Sequence, residues 1–346
     1  MSIIYFILVL GITVLVHELG HFIFAKKAKV HIYEFAIGMG PQIFKFKRKN
    51  DETIYSIRLL PIGGFVSMAG EDIENDNNVP KDKQLCNKKW TERFLVMFAG
   101  IAFNFLLAIT LLFVIGLASG VSPSKPIIAS LDEKYPIYNS NIVVGDQILE
   151  VNNHNINSPD MLLLDLARYN GEKINLKVKH KNGKIEEVTI EPVLVHKDNN
   201  SGYLYGFALD NTKTYGFLPA LKYGFRKTIN LVEQMFVTLF YLAKGDLSIK
   251  NLAGPLGIYQ IVDSAASAGI ISIIYLIAYL CINVGFINLI PFPAFDGGRI
   301  LFLLIEFIKG SKVNSKVENT IHTIGFIFLM ILMAFITFND ITRFFN

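Results

Sequence analysis

Three residues near the start of the chain, His17, Glu18 and His21, have the types and spacing for hydrolytic metal chemistry. In His-Glu-x-x-His the two histidines stand at i and i+4, and a helix stacks such positions on one face. Two imidazole nitrogens can then reach one metal ion, with the glutamate beside them to take a proton from water. A His-x-x-x-His pair by itself is more often structural. The setting shifts that balance, because residues 12–25 are otherwise apolar. An ionisable group at membrane depth is costly and marks function there.

A catalytic zinc keeps three protein ligands and one open position, so the helix is one ligand short. The two cysteines, Cys86 and Cys281, offer neither a disulfide framework nor a Cys-based zinc pattern. His31, His154, His180, His196 and His322 read as ordinary surface or packing histidines. Asp296 differs, sitting in a Pro- and Gly-rich break between two apolar segments, Pro291-Phe-Pro293 before it and Gly297-Gly298 after it. An unpaired carboxylate there would be costly, and a metal would relieve the cost. Asp296 could equally cap the helix that follows. The two readings balance until the incomplete His-Glu-x-x-His helix is counted, which favours the ligand. Zinc held there would activate water and polarise a peptide carbonyl. Glu18 would carry the proton from the water to the leaving amine. Asn288 is a candidate oxyanion donor. Asn104 is a weaker one, since an interhelical hydrogen bond explains it as well.

The elements that must position these groups belong to a membrane protein. Of 346 residues, 52% are hydrophobic and 18% charged, and Phe alone contributes 28. Mean hydropathy is +0.41. A formal charge of +4, dispersed along the chain, gives no case for nucleic acid. The fold class expected is a polytopic α-helical membrane protein of about four spans, with a membrane-associated β-hairpin and an inserted extracytoplasmic α/β module. Residues 1–25 form the first span. It has no basic n-region, and Lys26, Lys27 and Lys29 follow it, so it reads as a retained helix ending in the cytoplasm. Residues 26–92 are a Lys/Arg-rich cytoplasmic-side segment. Within it 35–41 reads as turn, 53–60 and 64–68 as two strands of a hairpin, and 72–89 as a flexible loop.

Residues 93–119 form the second span, with small residues and Asn104 for close packing. Residues 120–195 hold the module, compact from 126. A Gly-Asp turn leads into a strand ending at Asn152, a short helix follows over 160–169, and two strands flank Asn182-Gly183. Crossing parity puts this module outside. Residues 196–267 are a connector, polar over 196–218, with an amphipathic helix over 219–243 that lies on the membrane or caps the site, and a turn at 251–257. Residues 268–308 hold the third span, its break and a helix from Arg299. Backbone freed at membrane depth by such a break is tolerated only where it lines a protein cavity. Residues 309–346 contain the fourth span.

These residues resemble the site-2 proteases, the intramembrane zinc metalloproteases, and specifically their bacterial RseP/RasP branch. His17-Glu-Leu-Gly-His21 is similar to the family's HExxH. Asn288-Leu-Ile-Pro-Phe-Pro-Ala-Phe-Asp-Gly-Gly298 is similar to its NxxPxPxLDGG, with Phe295 in place of Leu. Ala99–Phe105 resembles the family's AGPxANF, with Ile101 for Pro and Phe103 for Ala. Gly254–Ile258 also fits. The resemblance implies that Leu60–Val66 is the reentrant β-loop holding unwound substrate, which makes Gly63, Gly64 and Phe65 substrate-binding. It implies that the module is a single PDZ domain acting as a size filter. The partners implied are transmembrane substrate helices (anti-sigma factors or remnant signal peptides), membrane lipids and, indirectly, an upstream site-1 protease. The activity implied is zinc-dependent endopeptidase action in the bacterial plasma membrane, in regulated intramembrane proteolysis, with the active site toward the cytoplasm.

Two other classes compete. An ion transporter predicts internal repeats and charges spread over several spans, and neither is present. An inactive membrane-anchored PDZ scaffold predicts a degenerate site, whereas His17, Glu18, His21 and Asp296 are intact.

Overall fold

The computed structural model describes residues 2–49, 51–71, 78–169, 171–197, 200–246 and 254–345. The chain divides into two units, residues 1–111 with 249–346, and residues 112–248.

Among the described residues, four helices are long and apolar enough to cross a membrane: α1 (Ser2–Lys27), α2 (Trp90–Ser119), α6 (Ile270–Leu289) and α8 (Ser315–Phe345). A helix satisfies its own backbone groups, the condition for crossing lipid. Ile324, Phe326, Ile331 and Phe338 of α8 and Leu106 of α2 are more than half exposed, and they need an apolar solvent. The first unit also holds two shorter helices, α5 (Pro255–Ala268), packed on α1, α6 and α8, and α7 (Asp296–Lys309).

The first unit also holds a two-stranded sheet of β1 (Ile32–Lys47) and β2 (Ile54–Met68). The strands are long and bent. Ile32 faces Met68 and Ile37 faces Gly64 at one end, while Phe44 faces Ile57 and Lys47 faces Ile54 at the other. Phe35–Ile37 is paired with Tyr55–Ile57 as well. This corrects the expected hairpin. Residues 53–60 and 64–68 are one strand rather than partners, and the stretch read as turn, 35–41, is their pairing edge. Gly and Pro marked it as a turn, but long-range backbone pairing overrides local preference. Buried Phe35, Val66 and Met68 seat the sheet on Ala25, Val96 and Ile300. Burial alone would raise the Glu34 carboxyl, but hydrogen bonds from Arg58 and Ser56 outweigh it and hold it low. Burial lifts the Tyr55 hydroxyl to about 12, aided by its bond to Asp51.

The expected flexible loop is partly wrong. Residues 72–77 lie outside the described residues. Beyond them, Lys81–Lys83 and Leu85–Asn87 form 3-10 turns, and Leu85 is buried. His31 and Leu85 fix them by donating their backbone N–H to Lys83 O and Ala69 O.

The second unit holds β3 (Ile128–Leu131), β4 (Gln147–Val151), β5 (His154–Asn155), α3 (Pro159–Arg168), β6 (Ile174–Lys179), β7 (Ile185–Ile190), β8 (Val193–Lys197), β9 (Asn200–Leu204), β10 (Phe207–Leu209) and α4 (Phe217–Lys244). A four-stranded sheet runs β5-β4-β6-β7. Its alternation is plain in β6, where Ile174, Leu176 and Val178 are fully buried. Ser158 caps α3, accepting from the Met161 N–H. One expectation fails here. The module does not end at 195, because β10 pairs with β3 and Tyr205 joins the core. The polar connector over 196–218 therefore contains structure. The amphipathic α4 spends its inner face on the module itself, through Lys227 to Asp160 at 2.6 Å and Tyr241 to Asp165 at 2.8 Å.

In the first unit, residues 251–253 of the expected turn lie outside the described residues, and Pro255–Gly257 open α5. The helix after the break begins at Asp296, not Arg299.

Candidate active site

His17 and His21 are 7% and 6% exposed on the inner face of α1. Their Nε2 atoms lie 3.2 Å apart, and Asp296 Oδ2 is 3.2 Å from each. Among the described residues, these three form the one group of His, Cys, Asp or Glu able to share a metal ion. The Asp296 oxygen is buried and makes no hydrogen bond of acceptable geometry. His21 Nδ1 donates to the Val96 carbonyl at 2.8 Å, leaving Nε2 a bare lone pair. Asn104, fully buried, sits 3.3 Å from His17 Nδ1, and its Oδ1 has no partner as oriented. Turning the amide brings Oδ1 to accept from His17 Nδ1 and bares the second Nε2. In that arrangement three acceptors converge on one point, which a bound metal cation stabilises. Tetrahedral ligands about 2.0–2.1 Å from a shared zinc stand about 3.3 Å apart. The donor set and its spacing fit zinc.

Local sequence explains how these side chains converge. α1 and α2 cross at Gly20 and Gly100. A Cβ on Gly100 would stand 2.4 Å from His21 Nε2, and one on Gly20 would stand 2.4 Å from the Ala99 carbonyl oxygen. Only glycine admits both the helix contact and the imidazoles. Asp296 is the first helical residue of α7, and no side-chain hydrogen bond caps that helix. The capping alternative is thereby excluded. A Cβ on Gly297 would stand 2.2 Å from the Ile290 carbonyl oxygen, so the Gly-Gly pair lets the break fold back on the helix start. Within the break, Ala294 has φ 80, an uncommon value for a residue with a side chain. Its N–H donates to His322 Nδ1 of α8 at 3.0 Å. His322, read as ordinary from sequence, thus helps hold the loop before Asp296.

His17, His21 and Asp296 line a cavity of about 630 Å³ together with Glu18, Asn288, Gly63, Gly64 and Phe65. Every site residue expected from the sequence is in this one place. Ser67, Met68 and Glu71 extend the same wall, and Val14, Met39, Val284 and Ala294 also face it. Glu18 Cγ lies 3.7 Å from where a Gly64 side chain would begin, so the glycine brings backbone close to the carboxylate. Val96, Gly100 and Glu71 were not singled out as site residues, and Asn104, weighed as an oxyanion donor, instead stands against the His17 ring. The signal for Asn104 was a polar side chain in an apolar helix. Of the other histidines, His31 pairs with Glu52 at 2.6 Å, His154 with Tyr241 at 2.5 Å and His180 with Asp146 at 2.8 Å. The His196 side chain lies outside the described residues.

The model of Peptidase family M50 matches residues 5–332. The chain belongs to that family. It is a zinc metalloprotease of the M50, or site-2 protease, type. Relatives match from end to end. A Clostridium acetobutylicum protein classed as a zinc metalloprotease is 35% identical over 335 residues, covering 97% of this chain and 96% of its own. The zinc metalloprotease RasP of Bacillus licheniformis is 32% identical over 421 residues, covering 99% of both. Among solved structures, the PDZ domain of an SdrC-like protein from Listeria innocua is similar over 27% of this chain and 99% of that one, with 22% identity and a TM-score of 0.22.

Proposed function

We propose that this M50 protease cleaves single-pass transmembrane segments within the bilayer. The observation that carries the reading is the convergence of His17, His21 and Asp296 from two helices on a cavity that Glu18 and an extended strand also line. His17, His21 and Asp296 hold the metal. Zinc, when bound there, supplies Lewis acidity toward water and the scissile carbonyl. Glu18 takes the proton of the attacking water on its carboxylate and returns it to the leaving nitrogen. Asn288 offers an amide donor to the developing oxyanion.

A peptide bond inside a helix is shielded by its own hydrogen bonds and side chains, so the substrate must be extended before attack. The Gly64–Met68 end of β2 serves that need. Its recorded β partner is the Phe35 end of β1, and a substrate segment can add to its other edge as a strand. Gly63 and Gly64 keep side chains out of its way and Phe65 offers an apolar contact.

The location proposed is the bacterial plasma membrane. Lys26, Lys27, Lys309, Lys312 and Lys316 flank the spans on one side, which is read as cytoplasmic. The metal ligands lie toward that side, and the module of the second unit lies outside, where a PDZ-like fold excludes substrates with bulky outer domains. The substrates proposed are anti-sigma factors or remnant signal peptides already trimmed by a first protease. The test is cleavage of a synthetic transmembrane segment in detergent by wild type and Glu18→Gln. Cleavage by wild type alone is expected, and equal cleavage by both would sink the proposal.

A further inference from the structure

We propose that an ion pair between Glu71 and Arg299 is a clasp that fixes the cavity-lining strand relative to Asp296, and so selects which bond of a bound segment is cut. The proposal rests on the proteolytic reading above. It assigns Glu71 and Arg299 as positioning residues.

Arg299 Nη1 donates to Glu71 Oε1 at 2.5 Å, with side chains 26% and 18% exposed. The two residues are far apart in sequence but stand beside the two halves of the site. Glu71 follows the end of β2 by three residues and lines the catalytic cavity. Arg299 lies one helical turn beyond Asp296. A cation in the first turn of a helix opposes the helix dipole, so α7 gains nothing from Arg299 by itself. An anion from another element is what makes that position favourable.

The helix that receives the clasp is itself anchored. Arg93 of α2 bonds both carboxylate oxygens of Glu306 at 2.8 and 2.9 Å, and Trp90 Nε1 donates to the Leu303 carbonyl at 2.6 Å. Thus the C-terminal half of α7 is held to the start of α2, and Glu71 ties the end of the strand to that anchored helix. The consequence for cleavage follows from strand geometry. A segment added to β2 takes its register from β2, and a slip of one residue moves it about 3.3 Å along the strand and turns its side chains over. Misplacing a reacting bond by about 1 Å already costs on the order of a hundredfold in rate. A device that holds the strand to less than one residue of slip therefore decides the scissile bond.

The test uses the full-length protein with zinc bound, in detergent, against a synthetic transmembrane peptide. Wild type, Glu71→Gln, Arg299→Gln, Arg299→Lys and the charge-swapped pair E71R/R299E are compared. Product ends are read by mass spectrometry, with kcat and KM measured separately. Zinc content and hydrogen exchange over residues 63–71 are recorded without substrate. For Glu71→Gln and Arg299→Gln, full zinc content is expected. So are faster exchange in that strand, a ten- to hundredfold fall in kcat/KM that includes a raised KM, and cleavage spread onto neighbouring bonds. Arg299→Lys and the swapped pair should recover the wild-type bond. A single unchanged bond with unchanged KM in both neutral variants would overturn the clasp, as would zinc loss in Glu71→Gln. Should wild type not cleave at all, the proteolytic reading fails instead. Unaltered exchange over 63–71 in the neutral variants would then overturn the clasp on its own.

Discussion

The two units of the chain treat polar side chains in opposite ways. In the second unit, charged residues are numerous and satisfy one another near the surface. Lys177 bonds Glu150, Lys184 bonds Glu186, and Lys173 pairs with Glu191. In the first unit, the buried polar groups at span depth are few, and most meet at one point. His17, His21, Asn104 and Asp296 all contribute to one cluster, although they come from three helices. Where solvent is water, a polar residue costs little and says little. Where solvent is lipid, each one must be held by a partner, and that partner is usually functional. Deep polar groups in the first unit should therefore be individually indispensable for chemistry, while polar groups in the second should be replaceable.

The largest effect tests the first half of that contrast. Glu18→Gln should leave zinc content intact and lower peptide cleavage by about two to four orders of magnitude, the usual contribution of a positioned acid–base group. Asp296→Ala should abolish cleavage through another route, by losing the metal, which atomic absorption of the purified protein would show. Full zinc retention in Asp296→Ala would remove it from the ligand set. Next comes Asn104→Ala. If the amide fixes the tautomer of His17, metal affinity should fall roughly 10–100-fold. An unchanged affinity would reduce Asn104 to a helix contact. By comparison, Leu176→Ala in the core of the second unit should cost about 2–5 kcal/mol of stability for that unit. Thermal unfolding followed by proteolysis would report it, while zinc content should stay at the wild-type level. Zinc loss in that variant would break the contrast between the units.

The same contrast explains what could be read from sequence. The zinc helix was legible because spacing and setting agreed. His17 and His21 share a face, and Glu18 had no reason to be in an apolar run otherwise. Asp296 was legible only as half of a choice, since Asp before Gly-Gly suits a helix start as well as a metal. The lack of a side-chain cap on α7 and the two imidazoles beside Asp296 support the metal reading. The strands β6 and β7 were legible from alternation around Asn182-Gly183. The pairing of β1 with β2 was not, because partners at its far end, such as Ile32 and Met68, are distant in sequence and it passes through Gly38, Gly40 and Pro41, which argue locally for a turn. β10 was missed because three residues are too short for a period to register. The Glu71–Arg299 pair could not be seen at all, as each residue alone reads as an ordinary charge at a segment end.

The smallest expected effect tests whether depth, rather than charge, sets importance within the first unit. Glu52 lies in that unit but is exposed, bonded to Lys83 at 2.8 Å and His31 at 2.6 Å. Those bonds, Lys83 first, pull its carboxyl from the ordinary 4.5 down to about 2. A depressed acid pKa means that the unfolded chain takes up the proton first. The stabilisation is therefore complete above about pH 4.5 and drains away as the pH falls toward 2. Glu52→Gln should flatten that part of the stability–pH curve, measured by hydrogen exchange over β1 and β2 at pH 6 and pH 3. The difference should shrink in high salt, because exposed pairs are screened. At neutral pH the variant should keep its zinc and cleave at close to the wild-type rate. A loss of cleavage comparable to that of Glu18→Gln would show that charge anywhere in this unit matters. The distinction between lipid-depth and water-exposed polar groups would then fail.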